Sequence, residues 1–468
     1  MKPFFLGLST LILLISGIIS AGEFSVGAAK SDITPPMGVP LDGAISQNGE
    51  VSAIHDRIHV RALVFSNGKT KVVLATVDNT MVSDSIFDGA KKLIEAETGI
   101  PGSHCILAAT HTHSTPRAAV GLIENEAFDA YLDSLPRGIA DAVVSANQNL
   151  QPALAGWSSF SAPEHVHNRR WFVEGIEEKP NPFGKTGEVV GMNPGRAGLI
   201  KPAGPVDPEL FLLSVQSREG KPLAVMGNYG LHYVGGISRG NVSADYFGVF
   251  SRAIAKEIGA GPEFLGLMSN GTSGDVNAVD YTAPRQKYEP FENMRRIGED
   301  LAKRAVPVVK RIDHQPRETI AAAETVLDLR VRKPDADLLQ WAKENAAPPN
   351  YKLRLTRPQV YARENLKLAE YPDTAKVRIQ AVRIGELAVV GIPCEVFAET
   401  GLAIKAAKVF PSTIVMELAN GYHGYLPTAE QHTWGGYETW PARSSNLEVE
   451  AETKIRAAAI ELLGELKK

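Results

Sequence analysis

The chain is predicted to be an α/β protein, with mixed β-sheets forming a layered core flanked by helices in a single domain. Three observations predict it: short β-branched runs recur along the 468 residues, stretches with apolar residues at helical spacing alternate with them, and a late run, Leu387–Ile392, is apolar throughout.

The first two β-rich runs, His59–Ser66 and Lys71–Asp78, flank Asn67-Gly68, and this pair predicts a hairpin closed by a tight primed turn. From Ser85 to Thr98, apolar Ile86, Phe87, Ala90, Leu93 and Ile94 recur at helical spacing, and Gly99 follows as a stop. Cys105–Ala109 then reads as a short strand, 127–148 as a helix, 211–217 and 223–229 as strands, and 245–258 as a helix. Leu387–Ile392 has the continuous apolar character of a strand buried on both faces, and 448–466 closes the chain as an amphipathic helix. Residues 330–375, rich in Lys, Arg, Glu and Pro, read as a surface excursion or helical insertion. Strand-like sequence resumes after it, so 22–468 is expected to be one interrupted domain. No internal repeat is visible.

A content of 44% hydrophobic and 22% charged residues suits a globular chain with a large core. Residues 1–21 carry Lys2, an apolar run from Phe4 to about Ile19, and Ile-Ser-Ala before Gly22, the layout of a cleavable signal peptide. The expectation is a secreted or periplasmic protein, with a lipid or membrane anchor as the alternative. The apolar run is short of the ~20 residues a span prefers. A net charge of −4 without long blocks of one sign gives no electrostatic case for nucleic acid. Two cysteines, Cys105 and Cys394, exclude a disulfide scaffold; buried thiols are expected, with a pair left open.

Chemistry-bearing residues cluster at strand exits. His111 and His113 follow the strand at 105–109, and residues two apart in extended backbone point the same way, so both imidazoles can enter one pocket as zinc ligands. His232 follows the run at 223–229, and Glu395 lies just past Leu387–Ile392. In α/β sheets the carboxyl ends of strands face the ligand crevice. Surface histidines in a Thr-rich loop are the competing reading.

The blocks Ala109-Thr-His-Thr-His-Ser-Thr-Pro116, His167-Asn-Arg169, Ser273-Gly-Asp-Val276, Gly391-Ile-Pro-Cys-Glu395 and Asn420-Gly-Tyr422 occur in the order and rough spacing of neutral ceramidases, which the chain resembles over essentially its whole mature length. Ile33-Thr-Pro-Pro36 and Ile54-His-Asp-Arg57 resemble that family's opening. The resemblance implies a Zn2+ held by His111, His232, Glu395 and Tyr422, with His113, Arg169 and Tyr437 as the catalytic set and Asp275, Asn277 and Tyr425 on the substrate. Tyr425 and Tyr437 are also alternatives to Tyr422 as ligand, and a phenol packed in the core is the plainer reading of Tyr422. Asp78 and Asp275 are candidates for orienting an imidazole, and equally for capping or turn roles.

One departure bears on mechanism: the family's Gly-Asp-Val-Ser-Pro-Asn reads Gly274-Asp-Val-Asn277-Ala-Val279 here, so its serine is absent. If that serine is a nucleophile the site is crippled; if it binds the substrate's polar end, metal-activated water still attacks. The expected reaction is therefore hydrolysis of an amide by activated water without an acyl-enzyme, on a ceramide-like N-acyl lipid or, alternatively, another amide or ester. A non-catalytic secreted binding protein with the same fold is the further alternative. The chain stops soon after Tyr437-Glu438, so the C-terminal β-sandwich domain of such ceramidases is expected to be absent. Gly236-Ile-Ser238-Arg-Gly240 formally fits a serine-hydrolase elbow, but no apolar strand enters at its serine. Asn241-Val-Ser243 and Asn270-Gly-Thr272 fit the glycosylation pattern.

Overall fold

In a computed structural model, residues 23–41, 49–119, 126–348 and 355–468 are described. Residues 1–21, expected above to be a signal peptide, lie outside them. Among the described residues, eight strands form one sheet in the order Leu265–Asn270, Pro222–Tyr229, Glu209–Ser217, Gln151–Ser161, Ser25–Asp32, His59–Ser66, Lys71–Val77, Cys105–Ala109. Its interior pairs are antiparallel, while both outermost pairs are parallel. A second, four-stranded sheet runs Ile320–Arg330, Thr374–Ile384, Leu387–Ile392, Ser412–Glu417.

Strand alternation sorts side chains between layers. In His59–Ser66, Leu63 and Phe65 belong to the same apolar cluster as Val389 and Met416 of the second sheet, while Val60, Ala62 and Val64 pack under the helices Asp84–Thr98 and Glu126–Gln148. In Leu387–Ile392, Leu387 and Val389 face the large sheet, whereas Ala388, Val390 and Ile392 face the closing helix Ala451–Lys467. The other half of the large sheet is covered by helices Asp245–Ile258 and Glu292–Val309. The layers are thus helix, sheet, sheet, helix, and a strand between them must be apolar on both faces, as Leu387–Ile392 is. Each such side chain taken from water contributes roughly 1.5–3 kcal/mol. The expected mixed α/β layering is what the structure has.

One local expectation is corrected. Ser66 pairs with Lys71, so the first hairpin closes through four residues, not a two-residue primed turn. The Asn67 carboxamide accepts from the N–H groups of Lys69 and Thr70, and Gly68 alone takes positive φ, 81°. Within 330–375, two capped helices form, Ala336–Asn345 and Arg357–Ala369. Phe183 packs edge-on against Trp341 and Tyr361 and ties them to the body. Cys105 and Cys394 are both free and buried.

Candidate metal centre

His111 comes two residues after strand Cys105–Ala109, at a backbone φ of 72°, where a side chain with a Cβ is uncommon. The turn is held twice: its N–H donates to the Asn79 carbonyl at 2.9 Å and its Nδ1 to the Thr80 carbonyl at 2.6 Å. His232 follows strand Pro222–Tyr229 and its Nδ1 lies 3.0 Å from the Ser273 carbonyl. With Nδ1 donating to a carbonyl in each ring, each Nε2 presents a lone pair, and these two atoms face each other at 3.0 Å. Glu395 Oε2 sits 3.3 Å from one and 3.7 Å from the other, buried and without a hydrogen bond. Its Oε1 accepts the Tyr422 hydroxyl at 2.9 Å. His113 Nε2 is 3.2 Å from His111 Nε2, and its ring stacks on Tyr233 at 3.6 Å.

Burial drives the His113 and His232 pKa values well below the usual range, and neighbouring charges, Arg169 among them, add to it. Burial alone would raise Glu395, but His111 and Arg169 outweigh it and hold the carboxyl below its ordinary value. Burial and then Glu395 keep the Tyr422 phenol protonated. Two lone pairs and a buried carboxylate oxygen without a hydrogen bond, aimed at one point, repel one another unless a cation lies between them. The nitrogen and oxygen donors fit zinc. The Nε2 of His113 falls in the same cluster of metal-competent atoms as His111 and His232.

Arg169 is delivered by a two-residue ribbon in which Asn168 pairs with Val276 and His167 with Asn277. Its Nη1 lies 3.2 Å from His232 Nε2, its Nε donates to Glu438 at 2.9 Å, and its Nη2 is buried without a partner. Burial disfavours the Arg169 charge, yet Tyr425, Glu438 and Glu395 more than offset that. The Tyr425 ring lies 5.3 Å from the Arg169 guanidinium and 5.6 Å from the Tyr437 ring. A cavity of about 510 Å³ opens here, with His111, His113, Glu395, Tyr422, Tyr425 and Tyr437 at its inner end.

Other expectations change. Asp275 does not line the cavity: its carboxylate accepts from Asn168 Nδ2 at 2.7 Å and from the Ala398 N–H at 2.9 Å, bracing the Arg169 ribbon, and burial raises its pKa to about 6. Asn277 is likewise off the lining, donating to Asn193 and to the Tyr281 hydroxyl. Neither Asp78 nor Asp275 orients an imidazole, because backbone carbonyls do so; Asp78 is paired with Arg61 at 2.7 Å. Ser238 sits on an exposed loop, not at a strand-to-helix elbow. Asn270 is fully buried, which removes it as a glycan acceptor.

Two buried acids were not singled out by sequence. Glu417 takes the Ser273 hydroxyl at 2.6 Å and the N–H groups of Ser273 and Val396, so it clamps the segment that orients His232 to the one that follows Glu395. Gly274 is forced by this close approach: a Cβ there would lie 2.5 Å from the Glu395 carbonyl oxygen. Glu438 bridges Arg169 and Arg170. Tyr233 and Arg170 were also passed over. Only contacts between residues far apart in sequence mark these groups, apart from Glu438, which neighbours Tyr437.

A family model described as neutral/alkaline non-lysosomal ceramidase, N-terminal, matches residues 24–280. Neutral ceramidase B of Dictyostelium discoideum is 25% identical over 288 residues, 55% of this chain and 36% of that protein. Neutral ceramidase 1 of Arabidopsis thaliana is 26% identical over 166 residues, 32% of this chain and 21% of that protein. The chain thus spans about a third or less of these two relatives. Neutral ceramidase of Pseudomonas aeruginosa is 22% identical over 502 residues, covering 92% of this chain and 71% of that protein. The crystal structure of a Pseudomonas aeruginosa neutral ceramidase superposes with a TM-score of 0.68 at 18% identity, over 95% of this chain and 74% of that one. A ceramidase complexed with C2 gives 0.69 at 17%, over 95% and 75%. At such identities the superpositions show the fold alone.

Proposed function

The chain belongs to the neutral/alkaline non-lysosomal ceramidase family, and on that premise we propose that it is an exported, zinc-dependent hydrolase of an amide bond, with a ceramide-like N-acyl lipid as the first substrate to test. The reading is carried by the convergence of His111, His232, Glu395 and Tyr422, from four separated stretches of chain, with Glu395 Oε2 left without a hydrogen bond between two imidazole nitrogens. The signal-peptide layout of 1–21 supports export. Among the described residues, no helix is long and apolar enough to cross a membrane.

His111, His232 and Glu395 would hold the ion, with Tyr422 as a fourth ligand or as the donor fixing Glu395. Bound there, zinc supplies Lewis acidity and lowers the pKa of a water to ~7. The remaining work falls to side chains. His113, kept neutral by burial, accepts the attacking water's proton at Nε2 and returns it to the leaving nitrogen. Arg169, held charged, neutralises the negative charge that develops on the carbonyl oxygen, and the protonated Tyr437 phenol is a second donor toward it. Asn277 offers no nucleophile and its amide is already engaged, so no acyl-enzyme forms.

The test is metal analysis of the purified protein together with an assay on a panel of amides and esters that includes ceramides of several chain lengths. One zinc per chain is expected, with turnover abolished by a chelator and restored by zinc. Turnover that survives removal of all metal would overturn the reading.

A further inference from the structure

Three imidazoles meet at this site, and the spacing of their nitrogens does not by itself separate ligand from base. His113 Nε2 stands 3.2 Å from His111 Nε2, which stands 3.0 Å from His232 Nε2, and all three atoms lie within 4.8 Å of one another. Nitrogens bound tetrahedrally to zinc are about 3.3 Å apart, so His113 is already at ligand spacing. Were it to join His111, His232 and Glu395, four side chains would hold the ion before Tyr422 is counted. That is the closed arrangement of structural zinc sites, whereas a catalytic site keeps a position open.

The ring that meets the flat of His113 belongs to Tyr233. The two are 3.6 Å apart at 12°, face to face, whereas Tyr233 meets His232 at 5.4 Å and 50° and His111 at 6.4 Å and 78°. His113 lines the cavity and Tyr233 does not, so the phenol backs the imidazole from outside the space open to substrate. Tyr233 is itself braced. The N–H groups of the next two residues, Val234 and Gly235, donate to Asp245 Oδ1 at 3.1 Å and Oδ2 at 2.8 Å, and Asp245 is fully buried. A Cβ on Gly235 would lie 3.1 Å from Tyr233 Cε2, so the clamped backbone folds back close to the ring. An aliphatic side chain could fill the same space, but only a flat one dictates the plane of the imidazole lying on it.

We propose that Tyr233 is a positioning residue, whose ring holds His113 beside the metal as a base and keeps it from becoming a further ligand. The consequence for turnover rests on the hydrolase reading above; the consequence for coordination does not.

Cobalt(II) loaded into the full-length protein reads this directly, because added azide shifts its visible bands where a coordination position is open. The wild type and Tyr233→Phe are expected to take azide alike. Tyr233→Leu should keep the metal, with azide affinity down about tenfold or more. Its kcat for the amide should fall on the order of 10²-fold at nearly unchanged KM, the scale of a lost general base. Adding His113→Ala to Tyr233→Leu should restore the azide response but not kcat, and His113→Ala alone should leave zinc affinity within about twofold of the wild type. An unaltered azide response in Tyr233→Leu overturns the proposal. So does joint loss of metal and azide response there, which would make Tyr233 a support of the ligands themselves. A roughly hundredfold loss of zinc affinity in His113→Ala overturns it too, since His113 would then be a ligand already, and this holds even if Tyr233→Leu does not fold. If the cobalt results are as expected but no amide is cleaved, the hydrolase reading fails and this one stands. If amides are cleaved and Tyr233→Leu matches the wild type throughout, the reverse holds.

Discussion

At the inner end of the cavity His111, His232 and Glu395 are at most 2% exposed and are oriented through backbone carbonyls and a phenol, whereas at the outer wall Arg363 keeps a third of its surface in water and meets Glu364 only loosely. The inner groups are braced from several directions, by Glu417 on the Ser273 and Val396 segments and by Glu438 on Arg169. The outer ones depend on side chains of one helix and one loop. Changes inside should therefore damage metal binding and stability together, and changes outside should alter which substrate is taken. The deepest cut into that contrast is His111→Ala. It should lose zinc, and turnover should fall on the order of 10³-fold or more, since a Lewis acid supplies several kcal/mol to the transition state. Metal content, turnover and circular dichroism of the variant, read together, check this. A folded variant with full zinc and activity would erase the distinction between the two ends.

Next in size is the clamp behind the ligands. Glu417→Ala orphans the buried N–H groups of Ser273 and Val396, at roughly 1–3 kcal/mol each. Zinc affinity should drop by about 10–100-fold, as for other groups that orient ligands. Glu417→Gln should recover most of both, because an amide oxygen accepts the same two N–H groups and burial already pushes the Glu417 carboxyl well above its usual pKa. Competition with a chromogenic chelator reads the affinities. If the glutamine variant is as poor as the alanine one, the carboxylate's charge is needed and the clamp has been misread.

Off the cavity lining, the half-buried His432 should also resist added positive charge. Burial, then Arg332 and Arg170, pull the His432 pKa down to about 3 from 6.5. A base depressed in the folded state contributes stability that is complete above its unfolded pKa and lost as pH falls through the window below it, here from 6.5 towards 3. Between pH 7 and pH 5 the wild type should lose roughly 2 kcal/mol through this group, at about 1.4 kcal/mol per unit. His432→Gln should show a shallower loss in urea unfolding at the two pH values. Equal slopes would place His432 in water.

The candidate ligands His111, His232 and Glu395 lie just past three apolar runs that announce strands, while the set of four, Tyr422 included, came from the family resemblance. The α/β class was legible for the same reason. The stacking of the two sheets was not, since it depends on which distant strands share a face. Glu417 looked like the polar end of a strand, and its meaning appears only when Ser273, 144 residues earlier, folds onto it. The stretch 330–375 read as a surface excursion because charged residues and prolines dominate it, yet Tyr361, Arg363 and Glu364 from it line the cavity. A polar residue facing an internal cavity looks, along the chain, like one facing solvent.

The smallest expected effect probes the border between the two regions. Asn277 stands where the family resemblance supplies a serine, but its amide bonds Asn193 and Tyr281 and it does not line the cavity. If catalysis needs no nucleophile from this position, Asn277→Ser exchanges one polar group for another away from the reacting atoms. Its kcat/KM should then move by no more than about twofold, equivalent to the ~0.5 kcal/mol typical of substitutions remote from special features. Rapid-mixing kinetics should show no burst of acylated protein in either form. A burst in the serine variant alone would mean that the ribbon carrying Arg169 also presents position 277 to the substrate, and the inner end would then reach further along the chain than the cavity lining indicates. A large loss without a burst would instead assign the Asn277–Asn193–Tyr281 contacts to the bracing of Arg169, since position 277 shares that ribbon through its pairing with His167.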